Sequence, residues 1–295
     1  MNDDLRDATR DDSLERIQVL VNSHGADVDA TYSFNGMTPL QWACKEDHLD
    51  IVQWLLEHGA DLEALDRTGM TPLNWACREG HFPIFRYLVD RGANMNVRDK
   101  NGVTPLHWAS KIGDLQIYRY LMEHGADSNA TDRSGWTPLF YACVMANLSI
   151  VCHLVEHGAD IHATDRWGNT PLHKAANQPT VSVVQYLIQK GAAVNVRNNN
   201  GETPLHLASP KNGHLPIVQH LVKSGANISV MDQNGATPLD YASIRVGADV
   251  TNYLKSMIKV RLGHSRVLQL VQTDLFWDRI VPNTGGLTNK KRVVI

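Results

Sequence analysis

Fourteen histidines and four cysteines are the residues of this 295-residue chain with the most versatile chemistry. Imidazoles titrate near neutrality and ligate metals, and thiolates attack carbonyls and hold zinc. Either role needs the groups to converge on one point. His107, His173 and His206 each follow a Thr-Pro-Leu triplet, and His58, His124 and His157 each precede a Gly-Ala-Asp. Within each set the separations are multiples of 33 residues. Metal ligands must lie about 2 Å from a common centre, and side chains a whole structural unit apart do not meet there. Cys44, Cys77 and Cys143 also share one position, taken by Ser110 and Ala176 elsewhere, so they read as small packing residues. Cys152 falls outside that register. No Cys-x-x-Cys, no Gly-x-Ser-x-Gly, no phosphate loop ending in Gly-Lys-Ser/Thr and no His-Glu-x-x-His is present. The acidic residues recur at turns and helix ends rather than as a facing pair. The expectation is a chain with no catalytic residues, no metal and no cofactor, and not an enzyme. Unpaired thiols suit a reducing compartment, the cytoplasm or the nucleus.

The spacing of these residues comes from the elements that carry them. Thr-Pro-Leu occurs at Thr38, Thr71, Thr104, Thr137, Thr170, Thr203 and Thr237, with separations of 33, 33, 33, 33, 33 and 34 residues. Threonine is a good helix N-cap, and proline at the first helical position loses no hydrogen bond. Each triplet is therefore a predicted helix start. In the copy at Thr104, Asp99 to Val103 form a turn, a short helix runs to Gly113, and a second helix carries Leu115, Ile117, Tyr118, Leu121 and Met122 at helical spacing. A fixed period of this size predicts a solenoid built by stacking one supersecondary unit.

The segments Thr104-Pro105-Leu106-His107-Trp108-Ala109, Thr170 to Ala175 and Thr203 to Ala208, with closings such as Gly125-Ala126-Asp127, resemble the ankyrin repeat over residues 5 to 260. The resemblance implies an all-α solenoid of helix-turn-helix units with β-hairpin-like finger turns. The shorter first helices would line a concave face. It divides the chain into a degenerate N-terminal capping repeat (1–34), seven repeats (35–260), a C-terminal capping helix (261–281) and a disordered tail (282–295). The first connection is one residue longer than the rest, which predicts a bulge around Tyr32 to Asn35. Pro179 replaces the interhelical glycine of one repeat, an extra residue falls near Pro210 to Asn212, and Val246 replaces the glycine of the last repeat.

Composition narrows the function. Net charge is -3, from 28 basic and 31 acidic residues, and hydrophobic residues make up 43%. That balance argues against nucleic acid and anionic membrane surfaces as partners. No apolar run approaches the roughly 20 residues needed to cross a bilayer, and the start, Met1 to Asp7, is too polar for a signal peptide. The resemblance implies a monomeric, intracellular interaction scaffold that holds a partner protein or extended peptide on its concave groove. An alternative is the substrate-recruiting adaptor of an enzyme system, of ubiquitin-ligase or palmitoyltransferase type.

Three stripes are candidates for partner binding. The first is the position two after each Pro-Leu: Trp42, Trp75, Trp108 and Tyr141, continued by Lys174, Leu207 and Tyr241. It reads either as inter-repeat packing or as a ladder of rings for a peptide. The second is basic, Arg67, Lys100, Arg133 and Arg166 at the finger tips, with Lys45, Arg78 and Lys111 on the first helices; it reads as a solvated face or as steering for an acidic peptide. The third is apolar: Trp136, Phe140 and Trp167 on the middle fingers, with Val144 and Met145 on the adjacent helix, where exposed apolar clusters mark interfaces. The family resemblance further implies asparagine hydroxylation at Asn96, Asn129 and Asn195.

Overall fold

Each Thr-Pro-Leu opens a helix. A computed structural model describes the backbone of residues 2–32, 34–211, 213–243 and 248–271, and side-chain environments between residues 4 and 260. Two helices, α1 (Asn2–Arg10) and α2 (Leu14–Asn22), begin the stack. The pairs α3 (Pro39–Lys45) and α4 (Leu49–Glu57), α5 (Pro72–Glu79) and α6 (Phe82–Asp90), and α7 (Pro105–Ile112) and α8 (Leu115–Glu123) follow. Then come α9 (Pro138–Val144) and α10 (Leu148–Glu156), α11 (Pro171–Ala176) and α12 (Val181–Gln189), and α13 (Pro204–Ala208) and α14 (Leu215–Lys223). The last pair is α15 (Pro238–Ser243) and α16 (Ala248–Val271). No strand occurs among the described residues.

Four successive second helices bury the same triple: Ile51, Val52 and Leu55; Ile84, Phe85 and Leu88; Ile117, Tyr118 and Leu121; Ile150, Val151 and Leu154. This i, i+1, i+4 spacing puts one apolar stripe on one helix face. The first helices pack on one another in sequence and bury the Pro-Leu pair and the alanine that follows. One hydrophobic core therefore runs the length of the stack, from Leu5 to Leu254. The buried Leu5 and Ala8 make α1 part of it.

Between helix pairs the chain makes a finger. The finger base closes with an N–H to carbonyl bond four residues on, from Asp66 to Met70, Asp99 to Val103, Asp132 to Trp136, Asp165 to Asn169, Asn198 to Glu202 and Asp232 to Ala236. The first finger closes from Tyr32 to Met37, one residue wider, where the bulge was expected. Neighbouring fingers are joined by a backbone bond at one register: Arg67 N–H to Asn35, Lys100 to Thr68, Arg133 to Asn101, Arg166 to Ser134, Asn199 to Trp167 and Gln233 to Asn200.

Most of the described interhelical turns pass through a left-handed residue, the Pro179 unit being without one. Gly113 has φ 80°, a region glycine enters without strain, and a Cβ there would crowd the end of the Asn147 side chain. At the same place in the next unit Ala146 takes φ 53°. The unit with Pro179 ends its first helix early, at Ala176, and α13 has only 5 residues. The helix expected over 261–281 does not start as a new element, because α16 runs unbroken for 24 residues to Val271. Val246, residues 272–281 and the tail 282–295 lie outside the described residues.

Candidate partner-binding face

The side chains that distinguish this stack are organised by the aspartates that stand at five of the finger bases. Oδ1 of Asp66 accepts from the backbone N–H of Thr68 (2.7 Å) and Met70 (3.0 Å), and Asp99, Asp132, Asp165 and Asp232 repeat the pattern. Their Oδ2 atoms face the first helix. There they accept from Trp75 Nε1 (3.0 Å, on Asp66), Tyr141 Oη (2.8 Å, on Asp132), Lys174 Nζ (2.8 Å, on Asp165) and Tyr241 Oη (2.9 Å, on Asp232). These partners all belong to the aromatic stripe and stand nine residues after their aspartate. The stripe is thus neither pure core nor a free ladder: its polar ends are bound to the finger and its faces are left over. Burial and the adjacent Asp132 carboxylate both push the Tyr141 hydroxyl above its ordinary pKa. Trp42 and Trp108 are the exceptions, since the Nε1 of each is buried without a partner.

The free faces carry cations. Lys45 lies over Trp42 (4.7 Å to the ring centroid), Arg78 over Trp75 (4.8 Å) and Trp108 (5.3 Å), and Lys111 over Trp108 (4.8 Å). Further along, Lys174 lies over both Trp136 (4.9 Å) and Trp167 (5.6 Å). The result is a row of alternating indoles and cations along the first helices. Arg78 and Lys111 are exposed, while Lys45 and Lys174 are half-buried. Lys45 also pairs with Glu46, and Arg78 with Glu79 (3.5 Å).

The third stripe is not one cluster. Phe140 is fully buried beneath Trp136, with which it stacks at 6.1 Å, so no partner can reach it. Its position is the inward-facing one that holds histidine in other units. Val144 and Met145 lie at the far end of α9, a 7-residue helix, and therefore about 10 Å from the finger at 1.5 Å per residue. Met145 is exposed, as are Ile112 and Leu148. Trp136 and Trp167 stay together near the fingers. Trp136 is half-buried and donates Nε1 to Asp165 Oδ2 (3.3 Å), and Trp167 is 54% exposed.

The finger-tip basic residues Arg67, Lys100, Arg133 and Arg166 are all exposed. Two of them brace neighbours: Arg67 Nη1 donates to the Phe34 carbonyl (3.1 Å), and Lys100 Nζ to the Arg67 carbonyl (2.8 Å). The asparagines also bridge units. Asn129 donates to the Gly158 carbonyl and accepts from Asp160 N–H, and Asn195 does the same with Gly225 and Asn227. Asn96 is exposed, with its own N–H held by Asn94 Oδ1 (2.9 Å).

The histidines after Thr-Pro-Leu are structural. His107 Nδ1 accepts from Thr104 N–H (3.1 Å), while Nε2 donates to the Trp136 carbonyl of the next finger (3.0 Å). His173 and His206 repeat this with the carbonyls of Glu202 and Ala236. Burial disfavours the imidazolium and takes both His107 and His173 down to about 4, although the carbonyl contacts oppose it. Asp165 is held below the usual carboxylate range: burial favours its acid form, but the hydrogen bonds from Lys174 and Asn169 outweigh that. Among the described residues no group of three His, Cys, Asp or Glu could hold a metal, and no helix is long and apolar enough to cross a membrane. The nine-residue spacing from finger aspartate to stripe residue is the signal that would have located these bonds in the sequence.

The family model for ankyrin repeats (3 copies) matches residues 5–99, 91–165 and 161–232. The chain is also 44% identical over 61 residues to ankyrin repeat domain-containing protein 40 of Mus musculus, and likewise to that of Homo sapiens. Each alignment covers 21% of this chain and 16% of the relative.

Proposed function

The chain belongs to the ankyrin-repeat family, whose repeats serve protein–protein interaction, and from that premise we propose that it is a non-catalytic recognition module holding an extended protein segment along its first helices, between the units that begin at Thr71 and Thr170. The row of cations over indoles supports this reading most directly. Arg78 and Lys111 keep exposed charge above Trp75 and Trp108, and Trp167 leaves an indole open to solvent. Tryptophan and arginine are the residue types that most often carry binding energy at interfaces. A segment with carboxylates spaced between apolar side chains complements such a row, and the exposed finger-tip residues Arg67, Lys100, Arg133 and Arg166 would steer it. The buried thiols of Cys44, Cys77 and Cys143 support residence in a reducing compartment. We take the chain to act as a monomer, and to be a substrate for asparagine hydroxylation most readily at Asn96, whose unit-bridging counterparts Asn129 and Asn195 are engaged at both amide ends.

The test compares proteins captured by the wild-type chain, by Arg78→Ala/Lys111→Ala and by Trp136→Ala/Trp167→Ala, each first shown to be folded by circular dichroism. Loss of the same partners from both variants is expected. If both folded variants retain every partner, this face is not the binding surface.

A further inference from the structure

Lys174 stands where other units place Trp, Tyr or Leu, and its surroundings differ from those of every other cation described above. Its ammonium sits 2.8 Å from Asp165 Oδ2, a carboxylate whose side chain is fully buried, while the Lys174 side chain is 19% exposed. Two indoles close on it from successive fingers, Trp136 at 4.9 Å and Trp167 at 5.6 Å from ring centroid to nitrogen. Trp136 is itself pinned to the same carboxylate through Nε1 (3.3 Å). One carboxylate and two ring faces around a single point are the elements of an organic-cation site, in which the rings' quadrupoles supply attraction and the carboxylate supplies net charge.

The occupant is on a tether. Lysine has a flexible four-carbon stem and a strongly hydrated head; releasing it to water breaks its pair with the buried Asp165 carboxylate, a cost that an incoming cation offsets by taking the same place. Trp167 remains 54% exposed even with the lysine in place, which leaves an open side for entry. A guanidinium or a methylated ammonium is less hydrated than the lysine head and gains more from the two ring faces.

We propose that Trp136, Trp167 and Asp165 form a binding site for a cationic side chain of a partner segment, an arginine or a methylated lysine, which Lys174 occupies in the free chain. This deepens the recognition reading above and rests on it for the source of the cation, but the site itself is testable with small probes. Acetyl-trimethyl-lysine amide and acetyl-arginine amide would be titrated separately into the wild type, Lys174→Ala and Lys174→Met, following indole fluorescence. Vacating the site is expected to give saturable binding with Kd on the order of 1 mM, about tenfold tighter than wild type for at least one probe. Which probe responds more strongly identifies the cation. Adding Trp167→Ala should abolish the gain. A folded Lys174 variant with no saturable response overturns the proposal, as does binding that survives Trp167→Ala.

A wild-type measurement covers the case in which the variants do not fold. The two indoles should shift the Lys174 side-chain methylenes upfield in NMR, and these resonances should move toward ordinary values as probe saturates. If they stay fixed at saturating probe, the lysine is not displaced and the proposal falls. Retention of every partner by the folded groove variants, with intact probe binding, would instead count against the groove reading alone.

Discussion

Lowering the pH should loosen this stack through its capping histidines. His107 and His173 are neutral in the fold, with pKa values near 4, against 6.5 for an unperturbed imidazole. The folded value is depressed, so between these limits the unfolded chain binds the extra proton. Stability contributed by each histidine is therefore complete above about pH 6.5 and falls as pH drops toward 4. Between pH 7 and pH 5 the loss works out at about 2 kcal/mol per histidine, or about 4 kcal/mol for the pair. His206 and His214 are shifted in the same direction by burial and add to it. The chain supplies its own non-titrating control. At the equivalent place in the first regular unit, Gln41 Oε1 accepts from Thr38 N–H (2.7 Å) and Nε2 donates to the Met70 carbonyl (2.8 Å), the two bonds that histidine makes elsewhere. Urea unfolding followed by circular dichroism at pH 7 and pH 5 would compare the wild type with His107→Gln/His173→Gln. The double variant should lose about 4 kcal/mol less than wild type over that interval. Parallel losses in the two proteins would refute the assignment of the acid sensitivity to these caps.

Two further substitutions should stabilise. Asn74 occupies the same capping position but is too short to span it, and both its amide atoms are buried without partners; Asn74→His should restore the bridge and raise stability by about 1–3 kcal/mol, read as an upward shift of the urea midpoint at pH 8. Ala146 holds a left-handed turn that Gly80 and Gly113 hold elsewhere, so Ala146→Gly should stabilise by about 1 kcal/mol and raise Tm, and an unchanged or lower Tm would show that the turn carries no strain.

Much of the architecture was legible because its signals are local. A threonine cap, an N1 proline and a buried leucine act within one turn of helix, so the seven starts could be counted from Thr38 to Thr237 without any tertiary information. The helix α1 was not legible for the converse reason. Five of its nine residues are charged, and only Leu5 and Ala8 offer an apolar face, too little periodicity to distinguish a helix from a polar leader. At the candidate face, Phe140 was misplaced because an aromatic at the finger end looks exposed; the capping position it fills points into the stack, and Thr137 Oγ1 is left without a partner as a result. The third stripe came apart because residues close in sequence sit at opposite ends of a short helix. Lys174 was visible as an oddity, but its two indoles arrive from different fingers, 38 and 7 residues away in the chain, and only packing brings them together.

The backbone bonds between fingers have a mechanical consequence. They continue through Asn199 and Gln233, past the units where Pro179 and the extra residue near Asn212 disturb the helical side. One edge of the molecule is therefore stitched at constant pitch while the opposite edge varies. A ribbon of that kind does not stretch along its stitched edge. It changes curvature by opening or closing the helix side about it, as a fan turns about its rivet. A ligand spanning several units would then meet a surface whose finger edge keeps its length while its helix edge adjusts, so that fit is set by bending rather than by sliding.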